Sequence, residues 1–260
     1  MLNYIKSELY RAGHSKEIHG AAMGLLGMIF FMNLILGLMK RLEHFRYGIT
    51  SFSYSMVVSM PMLYCYVAYC VAIMLYEGDK RNGTLGNSVS YGLSRLEIFA
   101  GKCIAAFVTS LALLSLALPV YIGSAELLLD NAGPTTIREF LTEIPAVSLV
   151  AIAALIFGVL LLEIFDKLLH GLLLWLAVIV FLPKLLLLAG LYFSEHFELL
   201  LDIALWLPVN FFSQGIQVNM SQCIVLWNTP EGMCRCLIAG GAGILIIGIL
   251  AVLTLRKKDI

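Results

Sequence analysis

Charge is what this 260-residue chain has least of. Lys, Arg, Asp and Glu supply 13% of it and hydrophobic residues 60%, with a mean hydropathy of +0.92. Ordinary globular domains carry about 25% charged residues, so there is too little polar surface here to clothe a water-soluble sphere. Seventeen basic and seventeen acidic side chains cancel, which leaves no electrostatic footprint for nucleic acid. Catalytic signatures are missing as well. There is no His-Glu-x-x-His and no Gly-x-Ser-x-Gly, and the spacing Glu77-x-x-x-Arg81 lacks the second Glu and the His that a protease site would need. Convergent polar groups at depth, which an intramembrane enzyme requires, are absent. The six cysteines include no two pairs at zinc spacing, since Cys234-Arg235-Cys236 has no companion pair. Free thiols are expected; Cys223 and Cys234 form the one pair that an oxidising exterior would permit to join. Gly101-Lys102 looks like the end of a phosphate loop, but that loop needs Gly where Leu96 stands and Ser or Thr where Cys103 stands. The chain therefore has no ATP site of that kind.

What is present is a series of long apolar blocks. Uncharged stretches run Gly20 to Met39, Tyr47 to Tyr76, Cys103 to Ala125, Ile144 to Leu162 and Cys236 to Leu255. A sixth, Leu168 to Tyr192, is interrupted only by His170 and Lys184. About 20 apolar residues in a helix cross a bilayer's hydrocarbon core, and backbone amides in lipid must be satisfied within the segment. The expected fold is an all-α membrane protein, one transmembrane domain over residues 1–260. Its six transmembrane helices fall near 20–39, 54–76, 103–123, 146–165, 170–192 and 234–255. The first block is long and lacks a small-residue cleavage site, so it reads as a retained span and not a signal peptide.

Lys and Arg set the orientation. With both termini cytoplasmic, the inner side holds Lys6, Arg11, Lys16, Lys80, Arg81, Arg95, Lys102, Lys167, Arg256, Lys257 and Lys258. The outer side holds Lys40, Arg41, Arg46 and Arg138, with Arg235 at a boundary. Before the first span, Leu2, Ile5, Leu9 and Ala12 recur at helical spacing, which predicts a short helix over 1–19 lying on the inner surface. Residues 126–143 form an acidic external loop containing Glu126, Asp130, Glu139 and Glu143. Residues 193–233 contain no Lys or Arg, while Leu199 to Leu207 is apolar but too short to cross, and Pro208 breaks a helix there. They read as external, half-inserted segments between spans five and six.

Lys184 lies roughly 24 Å along a helix counted from Leu168. A charge inside an apolar run must snorkel, find a partner or face a pathway, and pathway contact is the functional reading of Lys184. Pro183 beside it offers an end for the fifth span. At the inner end of span four, helix-end ion pairing accounts for Glu163, Asp166 and Lys167. Gly20 and Gly24, like Ala239 and Gly243, stand four apart and allow close helix approach.

The longest polar insertion runs over 77–102: Glu77-Gly-Asp-Lys-Arg-Asn-Gly-Thr84, then Ser94-Arg95, then Gly101-Lys102. It predicts a compact cytoplasmic element between spans two and three, on which a soluble partner could push. In this ordered set the chain resembles permeases of the type-2 ABC exporter family. An acidic residue closes span two there, and Gly-Thr, Ser-Arg and Gly-Lys pairs follow before span three. The motif covers about 25 residues; the architecture covers the whole chain, with small Gram-positive permeases that protect against peptide antibiotics the most similar.

The resemblance implies ATPase coupling through Glu77, Gly83, Thr84, Ser94, Arg95, Gly101 and Lys102. The ATP-binding cassette subunit is then a separate partner that holds ATP and Mg, and this chain needs no cofactor of its own. A second permease copy, alike or different, and membrane lipid are further partners. The site of action would be a bacterial cytoplasmic membrane, and the cargo amphipathic or lipid-like. An ion-coupled secondary transporter and a non-transporting scaffold remain the alternatives.

Overall fold

In the computed structural model of the chain, the described residues are 1–83, 90, 92–192, 198–219 and 222–256. Helix α1 (Leu2–His14) stops at Ser15, which turns extended and caps α2 (Lys16–Met39), its hydroxyl accepting from the Ile18 amide at 3.3 Å. Two helices follow where one continuous span was expected. They are α3 (Thr50–Val58) and α4 (Met62–Asn82), bent by 65° at the intervening break. Pro61 explains it: the ring removes a backbone donor and disfavours helical geometry at the residue before it.

Helix α5 (Arg95–Leu128) begins at a capping box in which Ser94 accepts from the Glu97 amide and Glu97 accepts from the Ser94 amide. Thr136 and Glu139 cap α6 (Ile137–Ile164) in the same manner. Pro183 does not end the fifth span. Helix α7 (Leu168–Tyr192) runs through it with a wider π-helical segment at Ala177–Phe181, where the Leu182 amide reaches back to the Ala177 carbonyl. A proline cannot donate to the fourth residue before it, and the extra residue in the turn makes room for its ring. Two short helices, α8 (Glu198–Trp206) and α9 (Pro208–Gly215), come next. A two-stranded antiparallel hairpin, β1 (Gln217–Asn219) and β2 (Gln222–Ile224), then leads to α10 (Pro230–Arg256).

Helices α2, α5, α6, α7 and α10 are each long and apolar enough to cross a membrane, and α3–α4 passes only as a bent pair. The chain is thus an all-α, multi-pass membrane protein in its coarse architecture, with one short hairpin. Helix α6 is its axis: 56% of its apolar window is buried, against 11–17% for the other four. It packs against α4, α5, α7 and α10. Trp175 of α7 seals one side, stacked on Tyr69 at 4.6 Å and donating to the Ala154 carbonyl at 2.9 Å.

Candidate functional site

The apolar stripe of α1 packs inward, with Ala12 buried and Ile5 and Leu9 half-buried, while Leu2 at its start stands exposed. Tyr4 and Glu8 turn toward the protein beside it. The reason lies on α5. A Cβ at Gly101 would stand 2.6 Å from the Tyr4 ring, so only glycine admits α1 this closely. One residue further on, Lys102 is wholly enclosed, with 0% exposure. Its ammonium donates to Glu8 at 2.8 Å, to the Leu75 carbonyl at 3.2 Å and to Asp79, and it lies 5.0 Å from the centre of the Tyr76 ring.

Arg11 closes the group. Its guanidinium donates to Glu8 at 2.6 Å, to the Leu75 carbonyl at 2.8 Å and to Asp79. Two acids and two bases from α1, α4 and α5 thus meet in one cluster of balanced charge, in which Glu8, Asp79 and Lys102 are buried and Arg11 is half-exposed. Burial opposes the charge on Arg11, but the Asp79 hydrogen bond and the charges of Glu8 and Asp79 outweigh it and hold Arg11 more firmly protonated. Burial, reinforced by the Glu8 and Asp79 charges, pushes the Tyr4 phenol far above its ordinary range. Beside the cluster, Tyr76 donates to Glu163 at 3.1 Å, and Lys80 donates to the Phe165 carbonyl. The end of α4 is thereby fixed to the α6–α7 corner. An open cleft of about 410 Å³ borders Arg11, with Tyr10, Lys16, Ile18, Met74 and Gly78 on its walls.

The residues picked out from sequence divide among different jobs. Gly101 and Lys102 belong to the cluster. Gly83 ends α4 in the left-handed region (φ 66°), Ser94 caps α5, and Arg95 is the first, half-buried residue of α5. Glu77 is exposed and lies apart from the cluster that its neighbour Asp79 joins. Thr84 falls outside the described residues, as do Lys257 and Lys258. Lys184 is exposed on α7 between exposed Phe181 and Leu185, with no hydrogen-bond or ion-pair partner among the described residues. The carbonyl of Pro183 next to it accepts from Asn210 at 2.7 Å.

Glu8, Arg11 and Asp79 escaped the sequence reading. The available signal was local, an acid and a base three apart on a helix between Tyr4 and Ala12. Nothing in one sequence pairs them with partners 68 and 94 positions away.

At the opposite end of the bundle a buried network is built from uncharged groups. Asn33 donates to Ser124 at 2.8 Å and to the Tyr121 carbonyl at 3.2 Å, and accepts from Ser53 at 2.6 Å. Ser51 accepts from the Thr135 amide at 2.8 Å, and the Thr135 hydroxyl takes the Cys223 amide at 3.3 Å. All six cysteines are free, and burial pushes the Cys223 thiol up to about 11, with Glu143 and Glu139 adding to the shift. Among the described residues no group of three or more His, Cys, Asp or Glu side chains is arranged to hold a metal ion. Nor does a nucleophile stand against a base in the charged cluster. The cluster joins α1 to the ends of α4 and α5 that flank residues 84–94. No family model, curated protein or solved structure matches this chain.

Proposed function

We propose that the chain is the permease subunit of an ATP-driven exporter of the type-2 ABC kind, with ATP and Mg held by a separate cassette ATPase. The observation that carries this reading is the Glu8–Arg11–Asp79–Lys102 cluster. It joins both flanks of the 77–102 element to α1, so a push on that element moves three helices together. The bent α3–α4 pair serves as the second of six spans, and both termini face the cytoplasm of a bacterium. Helix α1 lies along the inner surface. Exposed α2 supports assembly with a second permease, since Gly20, Gly24 and Gly27 have open space where side chains would stand. Segments α8, α9 and the hairpin cap the outer side, and Lys184 reaches the outer headgroups. The cargo is amphipathic or lipid-like, a class that includes peptide antibiotics.

Affinity purification of the full chain from its native membrane tests the assignment. The expected result is co-purification of an ATP-hydrolysing subunit that is lost when residues 83–95 are replaced by a Gly-Ser linker. Recovery of the chain without any ATPase, with cargo protection intact, would overturn it.

A further inference from the structure

At the end of the bundle remote from the charged cluster, Glu143 occupies the second turn of α6. The sequence placed it among the acids of an external loop; in the fold it is fully enclosed, with 0% exposure. One oxygen accepts from the Tyr64 hydroxyl at 3.3 Å, and the other has no hydrogen-bond partner. The ionisable groups that face it are Tyr64 from α4, Tyr121 from α5, Cys223 from β2 and, on its own helix, Glu139. None of these is a cation, and among the described residues no Lys, Arg or His pairs with it.

The contrast with the other buried acids is direct. Glu8 and Asp79 each receive two cationic donors. A carboxylate at Glu143 would have one long hydrogen bond and an orphaned oxygen. An enclosed, unpaired charge is costly, and a carboxyl so placed escapes the cost by becoming neutral.

We propose that Glu143 is a proton-binding site. In the packed arrangement it is a neutral carboxylic acid, and its proton is released when the surrounding seam opens. The walls of that seam suit opening. Tyr64 follows the α3–α4 break by three residues, and Cys223 sits on the short hairpin, its amide donating to the Thr135 hydroxyl at 3.3 Å. On opening, the carboxyl O–H bond breaks, the proton passes to solvent water, and a carboxylate remains. That carboxylate resists reburial until it regains a proton, so closure of this end of the bundle consumes one proton.

Infrared spectroscopy of the full chain in lipid nanodiscs at neutral pH tests this without an ATPase partner, so its failure is separable from failure of the transport assignment. The expected spectrum contains a protonated-carboxyl stretch that disappears in Glu143→Gln. The same band should shift in frequency in Tyr64→Phe, which removes its one hydrogen bond. Identical carboxyl spectra for the wild type and Glu143→Gln would show an ionised Glu143 and overturn the proposal. Should Glu143→Gln fail to fold, Tyr64→Phe decides alone: a shifted band supports the site, and an unmoved or absent band overturns it.

Discussion

The two ends of this bundle bury polar groups to opposite effect. At one end Glu8, Arg11, Asp79 and Lys102 join α1, α4 and α5 with four charges. At the other, Asn33, Ser53, Tyr121 and Ser124 join α2, α3 and α5 with none. Hydroxyls and amides can exchange partners with one another or with water at small cost. A buried charge has no such freedom, because each one lost leaves another uncompensated. The charged end is therefore a rigid joint and the neutral end a compliant seam. That asymmetry fits a molecule driven at one face and rearranging at the other.

The sharpest way to break the comparison is to remove one charge from the rigid joint. Asp79→Asn leaves Arg11 and Lys102 facing Glu8 alone. Loss of one partner from a buried ion pair costs about 3–5 kcal/mol, which thermal unfolding in nanodiscs should register as the largest drop among these variants. Asp79→Asn combined with Lys102→Met restores neutrality around Glu8 and Arg11, so the double variant should lose less than the two singles added together. A drop under about 1 kcal/mol for Asp79→Asn would mean that the joint is solvated in the working protein and that both ends are compliant.

Asn33→Ala probes the neutral seam. It strips three hydrogen bonds and leaves Ser53, Ser124 and the Tyr121 carbonyl to re-pair among themselves. The cost should be about 1–3 kcal/mol, measured in the same assay, and protease cleavage within α1 should not change. Increased cleavage there would show that the two ends are coupled.

How much of this was legible follows from what each residue answers to. Helices α2, α5, α6, α7 and α10 respond to lipid, and long apolar runs announce them. Their boundaries respond to single polar residues. Helix α5 extends eight residues before Cys103 because Glu97 serves the Ser94 cap and Lys102 has buried partners. Helix α6 likewise starts seven residues before Ile144, taking in Glu139 as a capping residue and Glu143 as a buried one. Pro61 and Pro183 were visible, yet their consequences differ. One has a 65° bend and the other a π-helical turn. Gly101 and Lys102 stood out as a motif, but the reason for their placement is a tyrosine and an acid on α1.

The comparison finally asks whether charge or burial makes the rigid joint rigid, and Lys40 separates the two. Its ammonium meets Asp130 at 2.9 Å, with side-chain exposures of 32% and 67%. The distance matches that from Lys102 to Glu8, where the lysine is 0% exposed and the acid 6%. Water screens the exposed pair and holds either partner well when the other is gone. Exposed pairs contribute about 0–1 kcal/mol and weaken further with salt. Lys40→Met should therefore leave thermal stability within about 0.5 kcal/mol of wild type, with any difference vanishing at high ionic strength. Backbone bonds already join this region, the Asp130 amide donating to the Gly48 carbonyl at 3.0 Å and the Thr50 amide to the Asp130 carbonyl at 3.0 Å. A loss from Lys40→Met as large as that from Asp79→Asn would place the effect in charge alone and dissolve the contrast between the two ends.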